Sequence, residues 1–483
     1  MPSRGHAVVV GGGVAGLVWA LDAVEAGYDV TVLEASDRFG GAVRREPLGP
    51  VPVDVGAESF ALTRPDMLEL VERLDLADQV ERPATHQAHV LTGERLLPLP
   101  PGLLGIPADP ADVARLLGPE VAEEAVRRDR APITADAPAT LGRLARDRLG
   151  DTVVDLLVDP VIAGVHATRA DDAELASVAP SLAAATVRHG GLMAGVRALR
   201  GPLGPAGAPV ATLVGGMGRL VDRLTEQLTL RGVTLRLNDA VTALRHDGTW
   251  RVRTGSGEII ADVVCLALPA RPAAGLLAGP AATAGTAGAA SILATHLEDL
   301  PITDDVVLVT LLVEDATLTR AGAPVGSGVL VARPQLDPAA DDDRVDPHGP
   351  LRAKALTHAS AKWDWLAIRL PANHHVVRLS FGGTNALPEE AETGVVEAAR
   401  AELARLLDAA GAPLGDGATV RASLVTRWTG ALSRPVVGRR ASLDAIDAAL
   451  AELPGLALVG SAVAGNGLAG VVGRSRTEAT RTM

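Results

Sequence analysis

At 483 residues, 47% of them hydrophobic, the chain is long enough for two or three domains with sizeable cores. Its 45 basic and 58 acidic residues leave a net charge of −13, which offers no overall attraction to nucleic acid or to anionic lipid headgroups. With a single cysteine, Cys265, the chain cannot form an intrachain disulfide, a CxxC redox pair or a cysteine-rich metal site, and no metal is expected. The opening MPSRGHAVVV lacks the long apolar run of a signal peptide, so the expected location is cytoplasmic.

The first predicted element is the strand that ends VVV at Val10. It runs directly into Gly11-Gly12-Gly13-Val14-Ala15-Gly16, and the helical spacing of Leu17, Leu21 and Val24 follows. Gly11, Gly13 and Gly16 fit G-x-G-x-x-G between a strand and a helix, which is the context that motif needs. The first glycine allows the tight turn, the second lets a pyrophosphate approach the backbone, and the third lets helix and strand pack. Amides at the helix start would hold the phosphates. A second strand, DVTVL, ends at Glu34, whose carboxylate lies at the distance along the chain where ribose hydroxyls are bound. To this point NAD and FAD are equally served.

The next predicted element is a helix over 62–82, with Thr63 as cap and Pro65 in its first turn. From about 95 to 200 the pattern is helical, broken by proline- and glycine-rich loops. Strands return at 233–237, 250–254 and 263–268, preceded by a strand, loop and helix over 209–232. Gly216 and Gly218 suggest a second nucleotide turn, but Val221 stands where the third glycine belongs. The uncharged stretch 272–295 is long enough to span a bilayer, yet it is mostly Ala, Gly and Thr around Pro280 and reads as loop and small-residue helix. Residues 306–333 and 351–384 alternate as strands around an acidic loop at 337–350. Helix returns at 389–410, and a last strand near 455–462 leads through another glycine-rich turn into a helix.

The expected fold is therefore α/β: a discontinuous Rossmann-like dinucleotide domain from 1–90, 205–272 and 421–483, with a helical insertion at 91–204 and a mixed-sheet substrate domain at 273–420. The reaction site should lie where the cofactor domain meets its inserts.

After Glu34 the residues ASDRFGGA give an Arg38 and a Gly40-Gly41 pair. This run resembles the extended signature of flavoproteins of the amine oxidase and protoporphyrinogen oxidase superfamily, and the resemblance favours FAD. Four further stretches resemble the oxygen-dependent porphyrinogen oxidases that act on coproporphyrinogen III or protoporphyrinogen IX. They are PVIAGVHATRADDAELA at 160–176, GSGVLVAR at 326–333, AKALTHASAKWDWL at 353–366 and TRWTGALSRPVVGR at 426–439. The last departs from the family pattern, since Ser433-Arg434-Pro435 and Arg439 stand where Pro-Gln-Tyr and a histidine are usual. The segment 86–100 lacks an equivalent of the arginine that anchors a substrate propionate in some relatives.

Carried over residue by residue, the resemblance implies FAD contacts at Gly11, Gly12, Gly13, Val14, Ala15, Gly16, Glu34, Ala35, Arg38, Gly41, Ala42, Gly56, Ala57, Glu58, Ser59, Val241, Trp428, Gly470, Val471 and Val472. Gly164, His166 and Ala167 would border the substrate. It implies a porphyrinogen and molecular oxygen as reactants, no transmembrane segment, at most peripheral membrane contact, and a transient contact with a ferrochelatase. No residue announces itself as an acid or base, and nothing in the sequence fixes the oligomeric state. The rival readings are a flavin amine oxidase, which would want an aromatic cage where this chain has Tyr28 as its sole tyrosine, and a catalytically silent FAD- and porphyrin-binding protein.

Overall fold

The computed structural model describes residues 3–84, 87–93, 95–132, 138–200, 210–278, 287–302, 305–332, 351–382, 392–430 and 432–483. A five-stranded, all-parallel sheet forms its base, in the order Thr234–Arg236, Asp29–Leu33, His6–Val10, Val263–Leu266, Leu456–Leu458. Because successive strand residues face opposite sides, an apolar run such as VVV needs cover on both. Ala7, Val9 and Cys265 enter one core with Leu17 and Leu21 of the helix Val14–Glu25, Leu224 of Gly218–Leu230 and Val472 of Leu468–Thr482. Val8, Val10 and Leu266 enter another with Trp250 and with the helices Ala270–Leu277, Ala287–Glu298 and Arg439–Ala451. The sheet is thus buried on both faces, and its strands arrive from three distant parts of the chain.

A seven-stranded sheet stands apart from it, in the order Thr419–Trp428, Val306–Glu314, His374–Gly382, Ala355–His358, Gly328–Val331, Ala88–Thr92, Arg95–Pro98. Its one parallel pairing joins Gly328–Val331 to Ala88–Thr92. The helix Glu392–Ala409 covers one face through Val395, Ala399, Leu403 and Leu406. Between 110 and 200 the described residues are helical, around a core that includes Leu141, Leu157, Leu192 and Val196. This insert touches the second sheet where a β-carbon on Gly164 would lie 2.6 Å from Leu330.

Three expectations need correction. The helix expected over 62–82 spans only Pro65–Arg73: the backbone at Arg64 caps it with no side-chain bond from Thr63, and Asp75, at φ 54°, turns the chain into the short strand Val80–Glu81. The helical pattern placed from about 95 begins later, because Arg95–Pro98 completes a hairpin with Ala88–Thr92 whose apolar residues are buried by pairing with a strand 240 residues downstream (Ala88 with Gly328), which no local window reports. The stretch 355–366 is a strand only to His358 and then turns helical, at Ala359–Lys362 and Asp364–Ala367. The acidic loop expected at 337–350 lies outside the described residues. No described helix is long and apolar enough to cross a membrane, and the ends of the 272–295 stretch fall in the two short helices that start at Ala270 and Ala287.

Candidate functional site

The glycine turn sits at the carboxyl edge of the parallel sheet, where open α/β folds bind ligands. A β-carbon on Gly16 would meet the Gly11 carbonyl oxygen at 2.2 Å, and one on Gly11, at φ 106°, would meet that of Ala267 at 2.4 Å. These two glycines are therefore demanded by packing alone. Gly13 differs, because a β-carbon there would find nothing nearer than the Gly41 Cα at 3.9 Å. Gly13 and Gly40 pair as an isolated parallel bridge, and the Gly40 amide donates to the Gly12 carbonyl at 2.8 Å. The result is a bare-backbone cleft between two glycine turns, next to the uncapped start of the helix Val14–Glu25.

Glu34 closes the other side. Its carboxylate accepts from the Gly12 amide at 2.7 Å and from the Ser36 amide and hydroxyl at 2.9 and 2.8 Å. The backbone of Asn238 and Asp239 bonds to Ser36 and Glu34, which brings Val241, the first residue of the strand Val241–His246, to this rim. Ala35 is exposed. Arg38 is half-buried, with no carboxylate in ion-pair contact among the described residues, and burial pushes its pKa down. An uncapped helix start, a cleft that a side chain would fill, a carboxylate at the second strand's end and an unpaired guanidinium fit the pyrophosphate and ribose of a dinucleotide.

The turn at Gly56 lies behind Ala42. The Ala57 amide donates to the Ala42 carbonyl at 3.0 Å, and a β-carbon on Gly56 would strike that oxygen at 2.0 Å. Trp428 seals the turn by donating its indole N–H to the Val55 carbonyl at 3.1 Å. The Glu58 carboxylate is taken up by two cations. It meets Lys362 Nζ at 2.6 Å and Arg378 Nη2 at 2.7 Å, and Arg378 also reaches the carbonyls of Asp54 and Gly56 at 3.3 and 3.4 Å. Burial alone would raise the Glu58 pKa, but the Arg378 and Lys362 charges outweigh it and hold the group down to about 2. Ser59 follows with no side-chain hydrogen bond among the described residues.

Gly470, Val471 and Val472 occupy the first turns of Leu468–Thr482, with both valine side chains in the hydrophobic core, so this segment can offer a ligand only its backbone. Gly164 and His166 end the helix Asp159–His166, and Ala167 follows in the left-handed region at φ 49°. Burial lowers the His166 pKa, and its ring makes no hydrogen bond among the described residues. The structure thus draws the glycine turns, Glu34, Arg38 and the Gly56 turn into one contiguous arc, with Trp428 behind the last, while the Glu58 carboxylate is paired with Lys362 and Arg378.

Sequence reasoning missed Asp54. Its carboxylate accepts from the amides of Met217 and Gly218 at 2.8 and 3.3 Å, at the start of the helix Gly218–Leu230. The glycine turn at 216–218 therefore binds a side chain of the protein itself. Burial pushes the Asp54 pKa up to about 6, against those two amides. No local signal could have paired residues 163 apart.

The family model for flavin containing amine oxidoreductases matches residues 14–298. A coproporphyrinogen III oxidase of Mycobacterium tuberculosis is 34% identical over 382 residues, 77% of this chain and 76% of its own length. One from Propionibacterium freudenreichii is 29% identical over 99% of this chain and 90% of its own length. Among solved structures, a protein from Exiguobacterium sp. 255-15 assigned as a protoporphyrinogen oxidase superposes with a TM-score of 0.79 at 26% identity, covering 100% of this chain and 99% of that one. The chain belongs to the flavin containing amine oxidoreductase family, in its porphyrinogen oxidase branch. It is an oxidoreductase, and its cofactor is FAD.

Proposed function

We propose that this chain oxidises coproporphyrinogen III to coproporphyrin III, with molecular oxygen as the electron acceptor, in the cytoplasm. Three oxygen molecules take up six electrons and six protons per porphyrin and leave as three hydrogen peroxide. Bound FAD supplies the hydride acceptor and the route to oxygen. The chain's own residues bind and orient. Gly11 to Gly16 and Arg38 would hold the pyrophosphate, Glu34 the ribose, and the backbone at Gly41, Ala42, Gly56 and Ala57 would support the flavin ring. The backbone at Gly470 to Val472 and the rim at Val241 would complete the contacts. Trp428 fixes the Gly56 turn from behind. Gly164, His166 and Ala167 end the helix of the insert that packs on the second sheet, and would border the tetrapyrrole.

The observation that carries this reading is the end-to-end likeness to the Propionibacterium coproporphyrinogen III oxidase, because it spans the insert and the second sheet as well as the cofactor domain. Against a flavin amine oxidase stands Tyr28: it immediately precedes the strand Asp29–Leu33, at the edge of the parallel sheet opposite the glycine turn, where it can contribute to no aromatic cage. Attachment of the flavin to cysteine is likewise disfavoured, since Cys265 is fully buried within the parallel sheet.

The test is to measure initial rates on coproporphyrinogen III and protoporphyrinogen IX side by side, with peroxide quantified. A rate at least tenfold higher on the first, with three peroxides per porphyrin, is expected. Failure on both substrates by FAD-loaded protein would overturn the proposal. A faster rate on protoporphyrinogen IX would replace its substrate.

A further inference from the structure

Arg434 occupies an unusual position for a cation. It is half-buried, its Nε is fully enclosed without a hydrogen-bond partner, and no carboxylate lies in ion-pair contact with it among the described residues. The nearest side-chain acceptor recorded for it is the Thr168 hydroxyl, a long contact at 3.5 Å. The acid bonded to its own loop is already engaged: Glu174, whose amide donates to the Pro435 carbonyl at 2.6 Å, accepts from the amides of Gly438 and Arg440 at 3.0 and 2.8 Å. A guanidinium carries five donors in a fork suited to a carboxylate, and leaving it part-desolvated without an anion is costly.

Its location explains what such an anion would be. Ser433, the preceding residue, is clamped to the side chain of Asn466: the Ser433 amide donates to Oδ1 at 2.8 Å and Nδ2 donates to the Ser433 carbonyl at 3.0 Å. Asn466 lies in the turn that opens Leu468–Thr482, the helix whose first turns carry Gly470 to Val472. Thr168, on the other side, is two residues beyond His166 at the end of the insert's helix. Arg439, buried and bonded to the Ser433 hydroxyl and to the Ala462 carbonyl, the latter at 2.9 Å, braces the same loop. Arg434 is thus held rigidly at the seam between the cofactor domain's last turn and the helical insert.

We infer that Arg434, with Thr168 beside it, is a docking point for one carboxylate side arm of the substrate. This rests on the porphyrinogen reading above and deepens it, because it assigns a residue to an acidic side arm of the substrate, whereas the one arginine of the early segment 86–100, Arg95, donates to the Leu116 carbonyl at 2.9 Å. Both departures from the family pattern, Arg434 and Arg439, then serve one purpose: the first presents the charge and the second fixes the loop that carries it.

Binding of coproporphyrin III and of its tetramethyl ester, which has the same ring and no free carboxylates, separates the outcomes. Both are titrated by porphyrin fluorescence in one mixed solvent against wild type, Arg434→Gln and Arg434→Lys, all with FAD content measured. Glutamine is the residue usual at this position in the family pattern, so that variant should fold. Arg434→Gln is expected to bind the tetra-acid about tenfold more weakly and the ester as wild type does, as loss of a charge-assisted contact predicts. Arg434→Lys should fall between. Equal affinity of wild type and Arg434→Gln for the tetra-acid, or an equal loss for both porphyrins, overturns the inference and leaves the porphyrinogen reading standing. Wild type that binds neither porphyrin overturns both.

Discussion

The indole N–H of Trp428 bonds the Val55 carbonyl at 3.1 Å, and its ring edge lies 3.0 Å from where a β-carbon on Gly56 would sit. The last residue of an edge strand in the second sheet therefore fixes a turn that belongs to the cofactor side. Replacing Gly56 by alanine drives a methyl group into the Ala42 carbonyl at 2.0 Å as well as toward this ring. Overpacking of this kind costs about 1–3 kcal/mol. Gly56→Ala should lower the thermal midpoint and shed FAD, read as the flavin-to-protein absorbance ratio after gel filtration.

Gly13 and Gly16 should separate packing from binding. Gly16→Ala places a methyl 2.2 Å from the Gly11 carbonyl and is expected to impair folding itself. Gly13→Ala meets only open space, with the Gly41 Cα 3.9 Å away. Its apoprotein should melt within a degree or two of the wild-type apoprotein, while its FAD affinity, measured by flavin fluorescence, falls at least tenfold. Unchanged affinity would mean that no cofactor occupies the cleft between the two glycine turns.

The cluster of Glu58, Lys362 and Arg378 joins the Gly56 turn to the second sheet through charges with little solvent access. Removing the one carboxylate leaves two half-buried cations facing each other, and breaking an enclosed pair this way costs at most about 3–5 kcal/mol. Glu58→Ala should reduce unfolding free energy in urea by that order. The double variant Glu58→Gln with Lys362→Met should recover part of it, because the surviving cation then has an amide oxygen to meet.

Asp54 and Glu58 give opposite pH dependences. The folded pKa of Asp54, about 6, lies above its ordinary 3.8, so between those values the folded state holds the proton more tightly than the unfolded one. Its contribution therefore falls as pH rises from about 4 to about 6. The folded pKa of Glu58, about 2, lies below its ordinary 4.5, and its contribution is lost as pH drops from about 4.5 toward 2. Asp54→Asn, which keeps an acceptor for the Met217 amide, should gain on wild type in thermal midpoint as pH increases through the 4–6 window and by a constant margin above it. A difference that does not change across the window would show that Asp54 titrates at its ordinary pKa.

The amino-acid sequence by itself determined the parallel sheet and its glycine turn. An unbroken apolar strand, three glycines and an acid-terminated second strand are contiguous signals, and the hydrogen bonds that realise them mostly join neighbours in the chain or in the sheet. The strand at 250–254 was legible to the residue for the same reason, since it is the centre of a local meander, pairing with Val241–His246 on one side and Gly257–Ala261 on the other. Tertiary structure alone decided what lies against that frame. Arg95–Pro98 is a strand only because residues from beyond 300 pair with its partner, and the Glu58 carboxylate is taken up by Lys362 from a short helix and by Arg378 from a strand of the second sheet, both about 300 residues on. Asp54 captures a helix start 163 residues away, and Arg434 is left without a carboxylate partner among the described residues where the cofactor domain's last turn meets the helical insert. Burial and charge pairing depend on which surfaces come together, and that is set by the packing of whole elements, which no window of sequence contains.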